Sequence, residues 1–349
     1  MQLRRLRDVN LPPDVFAVVM ATGIVAVAAA DHAYHRISVV LGTLAAAAFL
    51  VLGVGLVVRI AVGPSDIAAQ ARDPDVALRM FTAVAACEVL GVRWDSHPAA
   101  VWTTLVLSVC GWLVLAPLSV GDVRARSRVE LRDHAHGAWL LPSVALAGLA
   151  TCAAHAALFS SSWWLLAAAG AAWLLGLGVY LAVTWLVAWR AVASPFGPEQ
   201  VPPDSWILMG AVAVSALAGA HVHAVLALLH GPGWVLSTVR ILTLICWVVA
   251  SLWVPLLLYA EVWRVDRQSG SLHYQGVWWS AVFPIGMYSA ASASCAHELR
   301  MHSLFTISLV FFWVAATVWL TVAAGAVHRE VATLRRRRAA AHQGTVRQR

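Results

Sequence analysis

Glu88 is the one acidic residue well inside an apolar stretch of this sequence, and an ionisable group in such a setting is a functional candidate by default. Two roles are open to it. It is a proton-coupling or path-shaping acid, or it makes a plain hydrogen bond or ion pair with Arg240 or Arg93. His32, His35, His97, His155, His221, His223, His230, His297 and His302 all fall toward one end of the apolar segments. There they either sense pH or simply sit at a wet interface. His223 shares a helical face with Ala213, Ala216 and Ala220, which makes it the histidine best placed to line a path. The run His297-Glu298-Leu-Arg-Met-His302 imitates a zinc-protease motif, but its histidines are five residues apart and miss a common face. The five cysteines (Cys87, Cys110, Cys152, Cys246, Cys295) sit in apolar segments without metal-ligand spacing. No nucleophile–base pair stands out, so the sequence predicts no enzyme, no metal and no cofactor.

The segment Gly276 to Ala296 is apolar and long enough to enter a bilayer, yet Pro284 and Gly286 predict an interruption in it. On a helical wheel Gly276, Trp279, Phe283, Gly286, Ala290, Ser294 and His297 share a face that is small except for its aromatic rings. Such a face suits a lined pathway plugged by the Phe283 ring. It also suits a close helix contact with a packed phenylalanine.

The elements that carry these residues are membrane spans. The 349 residues are 61% hydrophobic with mean hydropathy +0.76, far beyond what a soluble domain needs. Ten spans are predicted, at 12–30, 38–61, 76–92, 99–121, 137–156, 162–189, 204–229, 234–262, 276–296 and 302–327. Residues 1–327 therefore read as one transmembrane domain and 328–349 as a basic tail. Arg4-Arg5-Leu6-Arg7, the apolar run after it and Ala28-Ala29-Ala30 imitate a signal peptide, but Pro12-Pro13-Asp14 interrupts the join and favours an uncleaved first span. The basic residues are all arginine. With the N-terminus inside, only Arg36, Arg93, Arg240 and Arg300 of the 24 fall outside, which places both termini in the cytoplasm of a bacterial cell. The net charge of +7 and the run Arg335 to Arg338 are then topological anchors on anionic lipid and imply no nucleic-acid partner. Tryptophans at span ends, such as Trp163, Trp164 and Trp234, read as headgroup anchors.

Odd and even spans differ. Spans two, six and ten are plain Ala, Val, Leu and Trp runs suited to lipid, whereas the odd spans carry Thr22 and Gly23, Phe81 and Glu88, Gly137 and Pro142, Gly210, and Pro284 and Gly286. Pro12-Pro13-Asp14, Asp73-Pro74-Asp75 and Pro202-Pro203-Asp204 precede spans one, three and seven, with aspartate as the expected N-cap. The pattern predicts an all-α protein of five helical hairpins, with the odd helices around a central pore and their positive N-terminal ends at the cytoplasmic mouth. No arginine lies near the middle of an odd span, so anions would bind weakly and pass quickly.

Four pieces, Phe16-Ala-Val-Val-Met-Ala-Thr-Gly-Ile24, His136-Gly-Ala-Trp-Leu-Leu-Pro142, Pro202-Pro-Asp-Ser-Trp-Ile-Leu-Met-Gly210 and Trp278-Trp-Ser-Ala-Val-Phe-Pro-Ile-Gly286, occur in order along the chain. Together they resemble the tellurite-resistance/C4-dicarboxylate transporter family, which includes bacterial tellurite-resistance anion channels and plant slow anion channels. The resemblance implies ten helices around a pore, usually one pore in each protomer of a homotrimer, with the ring at Phe283 as its gate. The motifs and the helical faces above together direct attention to Phe16, Thr22, Gly23, Phe81, Glu88, Trp139, Pro142, Gly210, His223, Trp279, Pro284, Gly286 and Ser294 as lining or kink positions. Ala21 stands where the family has glycine, and His136 where asparagine is commoner. The implied function is an anion channel or facilitated transporter for small inorganic or carboxylate anions. The alternative is a proton-coupled exporter of a weak-acid anion such as sulfite or a C4-dicarboxylate.

Overall fold

A computed structural model describes residues 12–63, 73–193, 202–267 and 276–346, with residues 65, 67, 70 and 197 between them. The arginines at 4, 5, 7, 72, 347 and 349, used above for orientation, lie outside the described residues. Among the described residues eleven α-helices follow in order: α1 (Ala17–Asp31), α2 (His35–Val62), α3 (Pro74–Arg93), α4 (Pro98–Ala125), the short α5 (Arg128–His134), α6 (Leu141–Ser160), α7 (Trp163–Ala193), α8 (Ile207–Leu228), α9 (Gly233–Arg267), α10 (Trp279–Glu298) and α11 (Leu304–Val346). Single 3-10 turns, Gly137–Leu140, Pro203–Trp206 and Gly276–Trp278, lead into α6, α8 and α10.

The protein is an all-helical, polytopic membrane protein. Among the described residues seven helices are long and apolar enough to cross a bilayer: α2, α4, α6 with its leading turn, α7, α8 with its leading turn, α9 and the first part of α11. The other three long helices fall short for reasons the chain makes plain. Pro12 and Pro13 hold the first segment in turns, so α1 is only 15 residues long. Helix α3 contains Asp75, Arg79, Glu88 and Arg93, and α10 contains four serines. A helix buried among other helices does not need a uniformly lipophilic surface, and these three are buried along most of their length.

Helices α1, α3, α6, α8 and α10 touch in that order, and α10 returns to α1, closing a ring. Each packs against the helix that follows it, so α2, α4, α7, α9 and α11 form an outer layer with apolar side chains exposed. Lipid offers no hydrophobic drive for helix association, so close packing and interhelical hydrogen bonds must hold the two layers. Small residues supply the first. Tryptophans supply part of the second: Trp319 Nε1 donates to Thr22 Oγ1 at 3.0 Å, Trp247 Nε1 to Ser292 Oγ at 2.9 Å, and Trp173 Nε1 to the Ser215 carbonyl at 2.8 Å; serines supply more, as where Ser38 Oγ donates to the Ala26 carbonyl at 2.7 Å and Ser143 Oγ to the Gly176 carbonyl at 2.8 Å. Trp164 and Trp234 are exposed at helix starts, as anchors are, but these three mid-helix indoles are structural cross-links.

Pro284 does not interrupt its segment. Helix α10 runs unbroken through it, and Gly210 on α8 leaves room for the proline ring, which a Cβ there would meet at 2.9 Å. Four of the five inner helices also end alike. Ala33, Ser161, His230 and Arg300 take positive φ of 60°, 49°, 57° and 56°. The next amide in each case, from Tyr34, Ser162, Gly231 and Met301, bonds the carbonyl five residues back. This repeated Schellman turn makes the inner-to-outer connection tight, and its left-handed position is occupied without glycine.

The aspartates at the helix starts are not uniform caps. Asp73 caps α3 by accepting from the Asp75 amide at 3.1 Å, but Asp14 pairs with Arg79 at 3.8 Å, and Asp204 accepts a bond from His136. His136 Nδ1 donates to Asp204 at 2.8 Å and Nε2 to Asp75 at 3.3 Å, while Trp139 Nε1 donates to the same Asp75 oxygen at 2.6 Å. Nδ1 also lies 3.3 Å from the Ala138 amide, but a protonated Nδ1 cannot accept, and the shorter contact decides where its proton points. Gly137 is required beside it, because a Cβ there would collide with the Asp204 carbonyl. One imidazolium thus joins the starts of α3, α6 and α8 at one end of the ring.

Burial alone would lower the His136 pKa, but the hydrogen bonds and charges of Asp204 and Asp75 override it and push it up from 6.5 to about 9. A raised folded-state value means that the pair stabilises fully below about pH 6.5 and that its contribution is lost as pH rises through about 9. The apparent Tm in detergent should therefore fall between about pH 7 and about pH 10, and His136→Ala should flatten that fall. Asp204→Ala should cost about 3 kcal/mol, as expected for stranding one partner of a buried pair. Parallel pH profiles for native and His136→Ala protein in a thermal-shift assay would count against the clamp.

Candidate functional site

At the centre of the ring is a narrow cavity of about 20 Å³, room for about one water molecule. All five inner helices supply its wall: Ile24 from α1; Ala85, Glu88, Val89 and Val92 from α3; Val144, Gly148 and Thr151 from α6; Val214 and Leu217 from α8; Phe283 and Met287 from α10. The wall is apolar apart from Glu88 and Thr151. It holds no arginine or histidine.

Phe283 and Met287 are one helical turn apart, so both project from the same face of α10. Phe283 is 2% exposed. Its position follows from the proline after it: Pro284 seats against Gly210 on α8, and one residue back along the helix the phenyl ring points to the lumen. Gly286, on the other side, abuts Ile24 of α1. Helix α10 is therefore pinned on both flanks next to its lumenal ring.

Glu88 is 2% exposed, and neither carboxyl oxygen has a hydrogen-bond partner. The ion pairs foreseen for it do not form. Arg240 donates to the Leu299 carbonyl at 3.2 Å, and the Arg93 guanidinium lies over the Trp94 ring at 5.7 Å. Ser108 Oγ on α4 faces the carboxyl and is the hydroxyl donor near it. The carboxyl lies against Gly148 of α6, and a Cβ there would strike it.

Of the residues singled out in the sequence, Phe283 and Glu88 meet at this cavity. The others sit beside it or face outward. Phe16 packs edge-on to Phe49 of α2 at 5.7 Å, Phe81 packs on Trp112 of α4 at 4.9 Å, and Trp279 packs on Trp319 of α11 at 6.4 Å. Thr22 donates to the Val18 carbonyl and accepts from Trp319. Gly23 lies against Val89, Trp139 is part of the His136 clamp, and Pro142 is buried in the first turn of α6. His223 and Ser294 are partly exposed near the far ends of α8 and α10, and His223 Nδ1 is buried without a partner. Sequence reasoning missed Val144, Gly148 and Thr151, although their spacing of four and three residues marks one face of α6. It also missed Met287, and it named His155 and His221 without pairing them; their rings lie 4.8 Å apart one turn beyond Thr151 and Leu217.

Two relatives, each described as an uncharacterized membrane protein of Mycobacterium tuberculosis (strains CDC 1551 / Oshkosh and ATCC 25618 / H37Rv), are 28% identical over 166 residues. That stretch is 47% of this chain and 83% of each relative. Residues 10–327 match the voltage-dependent anion channel family, the same family that the four ordered motifs resembled. A ring of five buried helices with a shared lumen thus stands in a chain that belongs to the voltage-dependent anion channel family, a family of anion channels and transporters and not of enzymes.

Proposed function

We propose that the protein is a channel for small monovalent anions in a bacterial cytoplasmic membrane. In this reading ten helices cross the bilayer as five hairpins with both termini in the cytoplasm, and the five inner helices line one conduction path. The Phe283 ring closes that path. The observation that carries this reading is the central cavity to which all five inner helices contribute and on which Phe283 stands. The packing of Pro284 on Gly210 supports a fixed ring position, and the repeated turns after four inner helices support a hairpin unit. The family resemblance adds a homotrimer with one path in each protomer, to be checked by light scattering in detergent.

The chemistry of the wall favours a channel for monovalent anions over a C4-dicarboxylate or sulfite exporter. A dianion taken out of water needs opposing charge, and the cavity wall offers none. A singly charged ion loses less hydration and crosses such a wall with weak, brief binding.

Phe283→Ala should raise chloride conductance in planar bilayers by about tenfold or more, since removing a closing ring lowers a barrier worth at least about 1.4 kcal/mol. Unchanged currents from a monodisperse Phe283→Ala protein would sink the gate assignment. In the same variant chloride and nitrate should carry current, whereas succinate at neutral pH should carry at least about tenfold less. Equal succinate and chloride currents would show that the wall does not select by charge.

A further inference from the structure

Glu88 has no evident structural task. Buried carboxyls almost always find several donors, and this one has only the Ser108 hydroxyl of α4 near it among the described residues. It is nonetheless accommodated deliberately, because α6 carries glycine at position 148 where any side chain would displace it. Glu88 lines the same cavity as the Phe283 ring. An anion at that level has lost most of its water and needs a hydrogen-bond donor. Thr151 is the other polar residue of the wall, and its hydroxyl proton is already given to the Ala147 carbonyl at 3.0 Å. The remaining wall residues have no side-chain donor. Glu88 can therefore supply the missing donor, but only while it carries a proton. Ionised, it presents a negative charge to the permeating ion.

Resting on the conduction path above, we propose that Glu88 is a proton-binding site in its wall and that monovalent anions pass only while this carboxyl is protonated. The proton comes from and returns to water, and no bond other than O–H is made or broken. The titratable groups facing Glu88 are the thiols of Cys87 on its own helix and Cys152 on α6. Helix α4 brings Ser108, and α1, α8 and α10 bring only apolar side chains to the cavity. His155 and His221, one turn away, are the competing source of any pH response.

The test is chloride efflux from proteoliposomes of the full chain carrying Phe283→Ala, measured across pH with and without a second substitution. Scanned from about pH 10 down to about pH 4, the flux should rise about tenfold or more, most of it within about two pH units, as a single titrating site passes from mostly ionised to mostly protonated. Adding Glu88→Gln, whose amide donates at every pH, should hold the flux near its acidic level throughout. Adding Glu88→Val should hold it low throughout. Adding His155→Ala and His221→Ala should leave the rise in place, and this arm decides the matter if the Glu88 variants do not elute as monodisperse protein. A flux independent of pH, or a rise that survives Glu88→Gln unchanged, overturns the proton site and leaves the channel standing. No chloride flux from Phe283→Ala at any pH overturns both.

Discussion

Close approach of helix backbones is the constraint on which the rest of this structure depends. Five helices enclose so narrow a lumen only if their axes come nearer than ordinary side chains allow. Helices α6 and α8 meet this need with runs of alanine, glycine and serine, and Gly210 admits the Pro284 ring where a Cβ would stand at 2.9 Å. In lipid such packing is also the main attraction between helices, because leaving water no longer drives them together. The same small residues therefore hold the ring and set its bore. Bulk is moved to the outer layer, where leucine, valine and tryptophan meet lipid and the mid-helix indoles reach inward to bond the ring.

At the end where the inner helices start, a different force is at work. Five N-termini gathered around one opening would bring five positive dipole ends together. Asp14, Asp75 and Asp204 stand among them, and the His136 imidazolium and Arg79 stand among the aspartates. That end of the ring is thus a neutralising network rather than a bare set of dipole ends. The departure of His136 from the asparagine common in the family has a local reason here: an imidazolium bonds two carboxylates at once, and an amide would leave their charge unbalanced.

Much of this fold was legible in the sequence. Segments bounded by proline or by Gly-rich turns came out within a few residues, as at 98–125 against the expected 99–121 and 203–228 against 204–229. Where punctuation misled, the reason is local. Pro12 and Pro13 form turns rather than a first helical turn, and α11 continues to Val346 because the alanine- and arginine-rich tail favours helix after its apolar run has ended. The period of each inner helix was readable, but its phase was not. A ring helix has one face to the lumen and another to the outer layer, and both are mixed and small. Thr22, Phe81 and Trp279 belong to the second face, which only their tertiary partners reveal. The His136 clamp was unreadable for the same reason, since its carboxylates lie 61 and 68 residues away.

The site joins these threads through what its wall lacks. Among the described residues the wall has no cation, and one phenyl ring lines it. On the proposed path, selection would rest on the energy of stripping water, which falls most lightly on small monovalent ions, and on whatever donor replaces that water. In a lumen built from alanine, valine and glycine, donors are scarce by construction, because the small residues that bring the backbones together carry no polar atoms. A carboxyl in such a wall therefore counts for more than it would in a polar one, and the glycine facing it on α6 leaves it room.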